Sequence, residues 1–168
     1  MSTHPKAQME TQSARSLLRH ALATLAYRGG KTIHNAPADF GSFQSAQGSP
    51  TPAELLAHMC DLIEWASSMM QGKPGWKVTK PQSWEEDVAR FHTALQSFDD
   101  FLGSDAPLHD SVERIFQAPI ADALTHVGQL AMLRRLSGAP ILGENYHRAD
   151  IRTGHVGADQ PAPRQPFK

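Results

Sequence analysis

The sequence predicts an all-α fold: a four-helix bundle with long connecting loops and an irregular C-terminal tail. Three observations carry that reading. Four segments repeat apolar residues at three and four positions, two of them open with capping-box spacing, and none shows strand-like alternation. The 168 residues suit one domain with a single core.

The first helix is predicted over about residues 11–28, where Ala14, Leu17, Leu18, Ala21, Leu22 and Leu25 repeat before Gly29-Gly30 stops the pattern. KTIHNAPADFGSFQSAQGSP follows, a loop of 20 residues without periodicity, long enough to suggest a functional role. Phe40 and Phe43 are its candidates for pinning it to the body. In TPAELLAHMCDLIEWASSMM, Thr51 and Glu54 have capping-box spacing and Pro52 suits the first helical position. Leu55, Met59, Leu62, Ile63, Ala66 and Met70 form its apolar arc, and His58 lies within that arc. QGKPGWKVTKPQ reads as a loop. Ser83 and Glu86 then open a third helix, with Val88, Phe91, Leu95, Phe98 and Leu102 as its stripe and Gly103 at its end.

Residues 111–117 have room for a short helix, and Pro119 is read as the start of the fourth long helix, which Gly138 and Pro140 end. Beyond Pro140 the chain is polar and proline-rich, with no regular element expected. The division is thus a flexible N-terminus over 1–10, the bundle over 11–146, and a tail over 147–168 packed on the bundle or on a partner subunit.

Charge is nearly balanced, with 16 basic and 17 acidic residues and a net charge of -1. No basic block or aromatic-interleaved patch marks a nucleic-acid or anionic-membrane surface. No apolar run is long enough to span a bilayer, and no secretory signal is visible. Cys60, the single cysteine, rules out an intramolecular disulfide framework and is compatible with a reducing cytoplasm, where the chain is expected.

The fourth helix carries the chemistry. In IADALTHVGQLAMLRRLSG, Asp122, His126 and Gln129 fall within an arc of about 60° on a helix, opposite Ile120, Ala123, Leu124, Val127, Leu130 and Ala131. A polar stripe on so apolar a helix needs partners. Asp122 and His126 are one turn apart, a spacing that suits two ligands of one divalent ion. His58 is the best third ligand, being the histidine in the middle of an apolar helical arc. Two histidines and a carboxylate leave positions open for water or substrate, as catalytic sites do.

Plainer roles exist for each residue. Asp122 suits the start of a helix, a lone histidine on an apolar face is commonly a hydrogen-bonded core residue, and Gln129 reads first as an interhelical hydrogen bonder and otherwise as a partner of a ligand or of water. Glu54 or Asp61 could orient the His58 imidazole, although Glu54 reads more strongly as a cap. Cys60 points about 200° from His58 and is read as packing. Of nine histidines, His20 and His92 read as structural, while His4, His34, His109, His147 and His155 have no helical neighbours that make a site. Glu144 and His147 form an E-x-x-H unit, but outside the helices and unpaired with a second, so a ferritin-like centre fails.

TPAELLAHMCDLIEW, with its histidine early in the second helix, and DALTHVGQLAMLRRLSGAPILGENY, in which a histidine precedes a small residue, Gln and an apolar run into Arg-Arg-Leu-x-Gly, resemble the DinB/YfiT-like superfamily of bacterial four-helix proteins. The resemblance runs from the first helix through Tyr146. It implies a divalent metal, often zinc or nickel, held by three histidines on the second and fourth helices. By position these are His58, His126 and a third that falls on Asp122. The aspartate departs from the family pattern and makes the donor set harder, which favours manganese or iron relative to nickel or zinc. The resemblance further implies a homodimer acting on a small molecule. The activity it suggests first is a thiol S-transferase using a low-molecular-weight thiol. A metal-dependent hydrolase or a non-catalytic binding or dimerisation bundle are the alternatives.

Overall fold

The computed structural model describes residues 5–73 and 75–167. Four long helical stretches dominate them: α1 (Pro5–Ile33), α2 (Pro52–Met70), α3 (Trp84–Gly103), and a last stretch in which a single turn, α4 (Val112–Ile115), runs through a π-helical turn (Phe116–Ile120) into α5 (Ala121–Leu136). Among these residues the strands are two-residue pieces, β1 (Gly143–Glu144) and β2 (Pro166–Phe167), paired antiparallel. The chain is all-α, as its periodicity predicts. α1 packs against α3 and α5, and α2 packs against the same two. Leu22, Leu25, Leu56, Met59, Ile63, Phe91, Leu95, Phe98 and Leu130 are fully buried between them. No helix of the described residues is long and apolar enough to cross a membrane.

Both capping boxes form. The Thr51 and Ser83 hydroxyls accept from the backbone N–H of Glu54 and Glu86, whose carboxylates accept in return from the cap N–H groups. Glu54 is therefore a cap. The long first loop is pinned as expected: Phe40 is buried edge-on to Trp84 at 5.4 Å, and Phe43 packs on the core.

The first helix differs from its prediction at both ends. Residues 5–10, read as flexible, are helical, and Gly29-Gly30 does not end α1. A Cβ at Gly29 would lie 2.9 Å from Cζ of the buried Phe91 ring, so this glycine serves close packing between α1 and α3. The helix instead ends at Ile33, and Asn35 takes the left-handed conformation, φ 52°, that follows many helix ends. Arg134 gathers the freed carbonyls of Thr32, His34 and Asn35 at 3.3 Å each, and Arg15 does the same for Leu102, Ser104 and Ala106 after α3. Two arginines thus satisfy acceptors that helix ends leave open.

The fourth long helix begins at Val112, not at Pro119. Ser111 caps it, its hydroxyl accepting from the Arg114 N–H. Proline lacks the N–H an α-helix needs and its ring crowds the carbonyl four residues back. The π turn around Pro119 accommodates this by one wider loop of chain, and π turns recur at functional sites.

The chain beyond Pro140, read as irregular, is mostly so, apart from β1, β2 and one 3-10 turn (Tyr146–Arg148), and it packs on the helices. Val156 is fully buried. Glu144 is buried too. It accepts from Tyr27 Oη at 2.9 Å, Lys31 Nζ at 3.0 Å and Arg164 N at 3.2 Å. Burial alone would push its carboxyl up, but the bonds from Lys31 and Tyr27 prevail and hold it below the usual range.

Candidate metal centre

Three side chains from two helices meet. α2 carries His58 two turns beyond its Thr51 cap, and the first two turns of α5 carry Asp122 and His126. Each residue offers one ligand atom, and these atoms all lie within 4.8 Å of one another. His58 Nε2 is 3.6 Å from Asp122 Oδ2, and His126 Nε2 is 3.4 Å from Asp122 Oδ1. Both separations exceed a good hydrogen bond. Taken singly, each is close to the edge between two ligands of a tetrahedral ion, about 3.4 Å when each ligand lies about 2.1 Å from the metal, and the two run to different oxygens of the Asp122 carboxylate. The arrangement is compatible with a divalent metal.

Gln129, one turn beyond His126, is not the interhelical hydrogen bonder expected. Its Oε1 lies 2.7 Å from His126 Nδ1 on the same helix. An amide oxygen can only accept, so Nδ1 is the donor in this contact and Nε2, the atom that faces Asp122, is the ring nitrogen turned to the cluster. Metal-binding histidines are commonly fixed in this way by an acceptor on the other ring nitrogen. The three polar residues of the α5 stripe thus belong to one unit.

The cluster is accessible. Side-chain exposure is 37% for His58, 47% for Asp122 and 15% for His126, so small molecules can reach the donors. The two imidazoles stand edge-on, 5.0 Å between centroids. Trp76, from the loop between α2 and α3, lies edge-on to His58 at 5.8 Å. Nothing in the sequence pattern marks this tryptophan, because loop residues have no periodicity to read.

Asp61 does not orient His58. It accepts from Thr79 N at 2.8 Å and from Arg90 at 2.5 Å. Cys60 is buried and its thiol bonds the Asp87 carbonyl, with burial pushing its titration up, so it is packing as expected. His34 and His92 are partners that the sequence reading missed. Their Nε2 atoms are 2.9 Å apart, and His92 Nδ1 lies 3.1 Å from the Val156 carbonyl, which ties the tail to α3. Two separated segments meet there, one of them just past a helix end, so spacing could not reveal the pair. His4 lies outside the described residues.

No family model, curated protein or solved structure matches the chain.

Proposed function

We propose that the chain is a metal-dependent enzyme, a thiol S-transferase of the DinB-like kind, with a divalent ion held by His58, Asp122 and His126. The observation that carries this reading is the convergence of two imidazole nitrogens and a carboxylate oxygen within 4.8 Å of one another. Three protein ligands leave coordination positions open, the pattern of a catalytic ion. The carboxylate favours manganese or iron relative to nickel or zinc. When bound, such an ion lowers the pKa of a coordinated thiol or water and so supplies a nucleophile at neutral pH.

The chain's own residues orient and tune. Gln129 holds the His126 proton on Nδ1, and Asp122 brings the negative charge that attracts a cation. Glu54 is spent on its cap, and Asp61 on Thr79 and Arg90, so neither stands free beside the cluster as a general base. Water activation for hydrolysis gains most from such a base. A thiol is a far stronger acid than water, so on an ion it reaches its nucleophilic form with less help from a base, its proton passing to solvent, and the sequence resemblance supports the same choice.

The test is metal analysis of protein purified without nickel affinity, followed by assay with small thiols and a model electrophile. Wild type should hold one divalent ion per chain and form the thioether, and His58→Ala and His126→Ala should lose both. Protein that carries no metal and takes none up on titration would overturn the reading.

A further inference from the structure

Beside the three ligands runs a row of aromatic rings. His126 meets His58 at 5.0 Å and 80°, His58 meets Trp76 at 5.8 Å and 78°, and Trp76 meets Trp65 at 5.3 Å and 75°. Each ring is nearly perpendicular to the next, a favourable arrangement for aromatic pairs. Trp65 is half-buried against the core, whereas Trp76 leaves 46% of its surface in solvent directly beside a candidate ligand.

The position of Trp76 is held from both sides. Before it, Lys73 N donates to the Ser68 carbonyl at 2.9 Å. After it, Thr79 N donates to Asp61, and Arg90 binds both that carboxylate and the Thr79 hydroxyl, the latter at 3.2 Å. Asp61 is 4% exposed. A buried carboxylate is costly unless it is bonded, and here its bonds fix a surface loop. The same loop carries Lys73, Lys77 and Lys80, all exposed, and has no acidic residue from 71 to 83.

We propose that the metal centre takes an anionic ligand with a planar apolar body, its charged head on the open coordination positions and its body against Trp76. The inference rests on the metal reading above. It adds the chemistry of what binds: the ion selects the head, and the exposed indole selects the body.

Acetohydroxamate and benzohydroxamate test this, because they share one metal-chelating head and differ by a planar phenyl group. Zinc-loaded protein should bind benzohydroxamate about 10-fold or more tightly than acetohydroxamate, each referred to its affinity for free zinc. Trp76→Ala should reduce that preference, taken as the ratio of the two affinities on the zinc-loaded variant, below about threefold, and Trp76→Phe should keep most of it. Equal binding of the two by wild type, or a preference that survives Trp76→Ala, would overturn the proposal and leave the metal reading standing. Failure to bind zinc at all would instead remove the metal reading, and this inference with it.

Discussion

Replacing Gln129 by leucine isolates the orientation of one ligand from the ligand itself. Leucine keeps the bulk and the helix propensity but removes the acceptor that lies 2.7 Å from His126 Nδ1. The imidazole then loses the bond that fixes both its rotation and its tautomer, while all three donors stay in place. Partners of this kind are worth about 10- to 100-fold in metal affinity, or about 1.4–2.7 kcal/mol. Gln129 is exposed, so folding stability should change by no more than about 0.5 kcal/mol. Zinc titration in competition with a chromophoric chelator, run on wild type, Gln129→Leu and His126→Ala, measures the loss directly. The expected order is wild type tightest, the leucine variant 10- to 100-fold weaker, and His126→Ala weakest. Gln129→Glu restores an acceptor and should bind at least as tightly as wild type. A leucine variant that binds zinc like wild type, while His126→Ala does not, would refute the orienting role.

Three stability predictions follow from the packing. Glu144→Ala strands Lys31 and the Tyr27 hydroxyl inside the protein and should cost about 3–5 kcal/mol in urea unfolding at pH 7. Because the folded Glu144 carboxyl titrates below its usual 4.5, its contribution is full above that pH and is lost as pH falls through the folded value; an undiminished gap between variant and wild type at about pH 3 would contradict this assignment. Gly128→Ala should stabilise by about 0.5–1 kcal/mol, since a Cβ there meets nothing within 4 Å and alanine favours a helix. Gly29→Ala should destabilise by about 1–3 kcal/mol against the Phe91 ring, and a thermal melt showing both variants stabilised would count against that contact.

The four helical stretches were legible because their apolar residues recur at the helical period, and Thr51, Glu54, Ser83 and Glu86 announce two starts outright. The boundaries that misled did so for tertiary reasons. Gly29-Gly30 has the chemistry of a stop, but Phe91 fills the space above Gly29 and the helix runs on to Ile33. Pro119 has the chemistry of a start, yet it sits inside a π turn of a longer helix. For the site, the i,i+4 spacing of Asp122 and His126 fixed two donors on one face, and His58 stood out as a histidine on an apolar arc. The link from His126 to Gln129 lay within the same stripe, but its direction along the helix rather than across to a neighbour depends on rotamers that spacing does not specify. Trp76 was beyond reach of any pattern, because tethers from Asp61 and Arg90 set its place.

The Glu144 contacts impose an order of events on a growing chain. Tyr27 and Lys31 are made before their carboxylate partner, which follows 117 and 113 residues later. Until Glu144 leaves the ribosome, the far end of α1 has two polar groups with no protein partner, and closing so long a loop carries an entropic cost. The helices can collect first through their apolar faces, and docking of the C-terminal strap then completes the burial of α1. A chain cut short before residue 144 would lack the acceptor for both groups, so the burial of this end of α1 and the docking of the strap depend on each other.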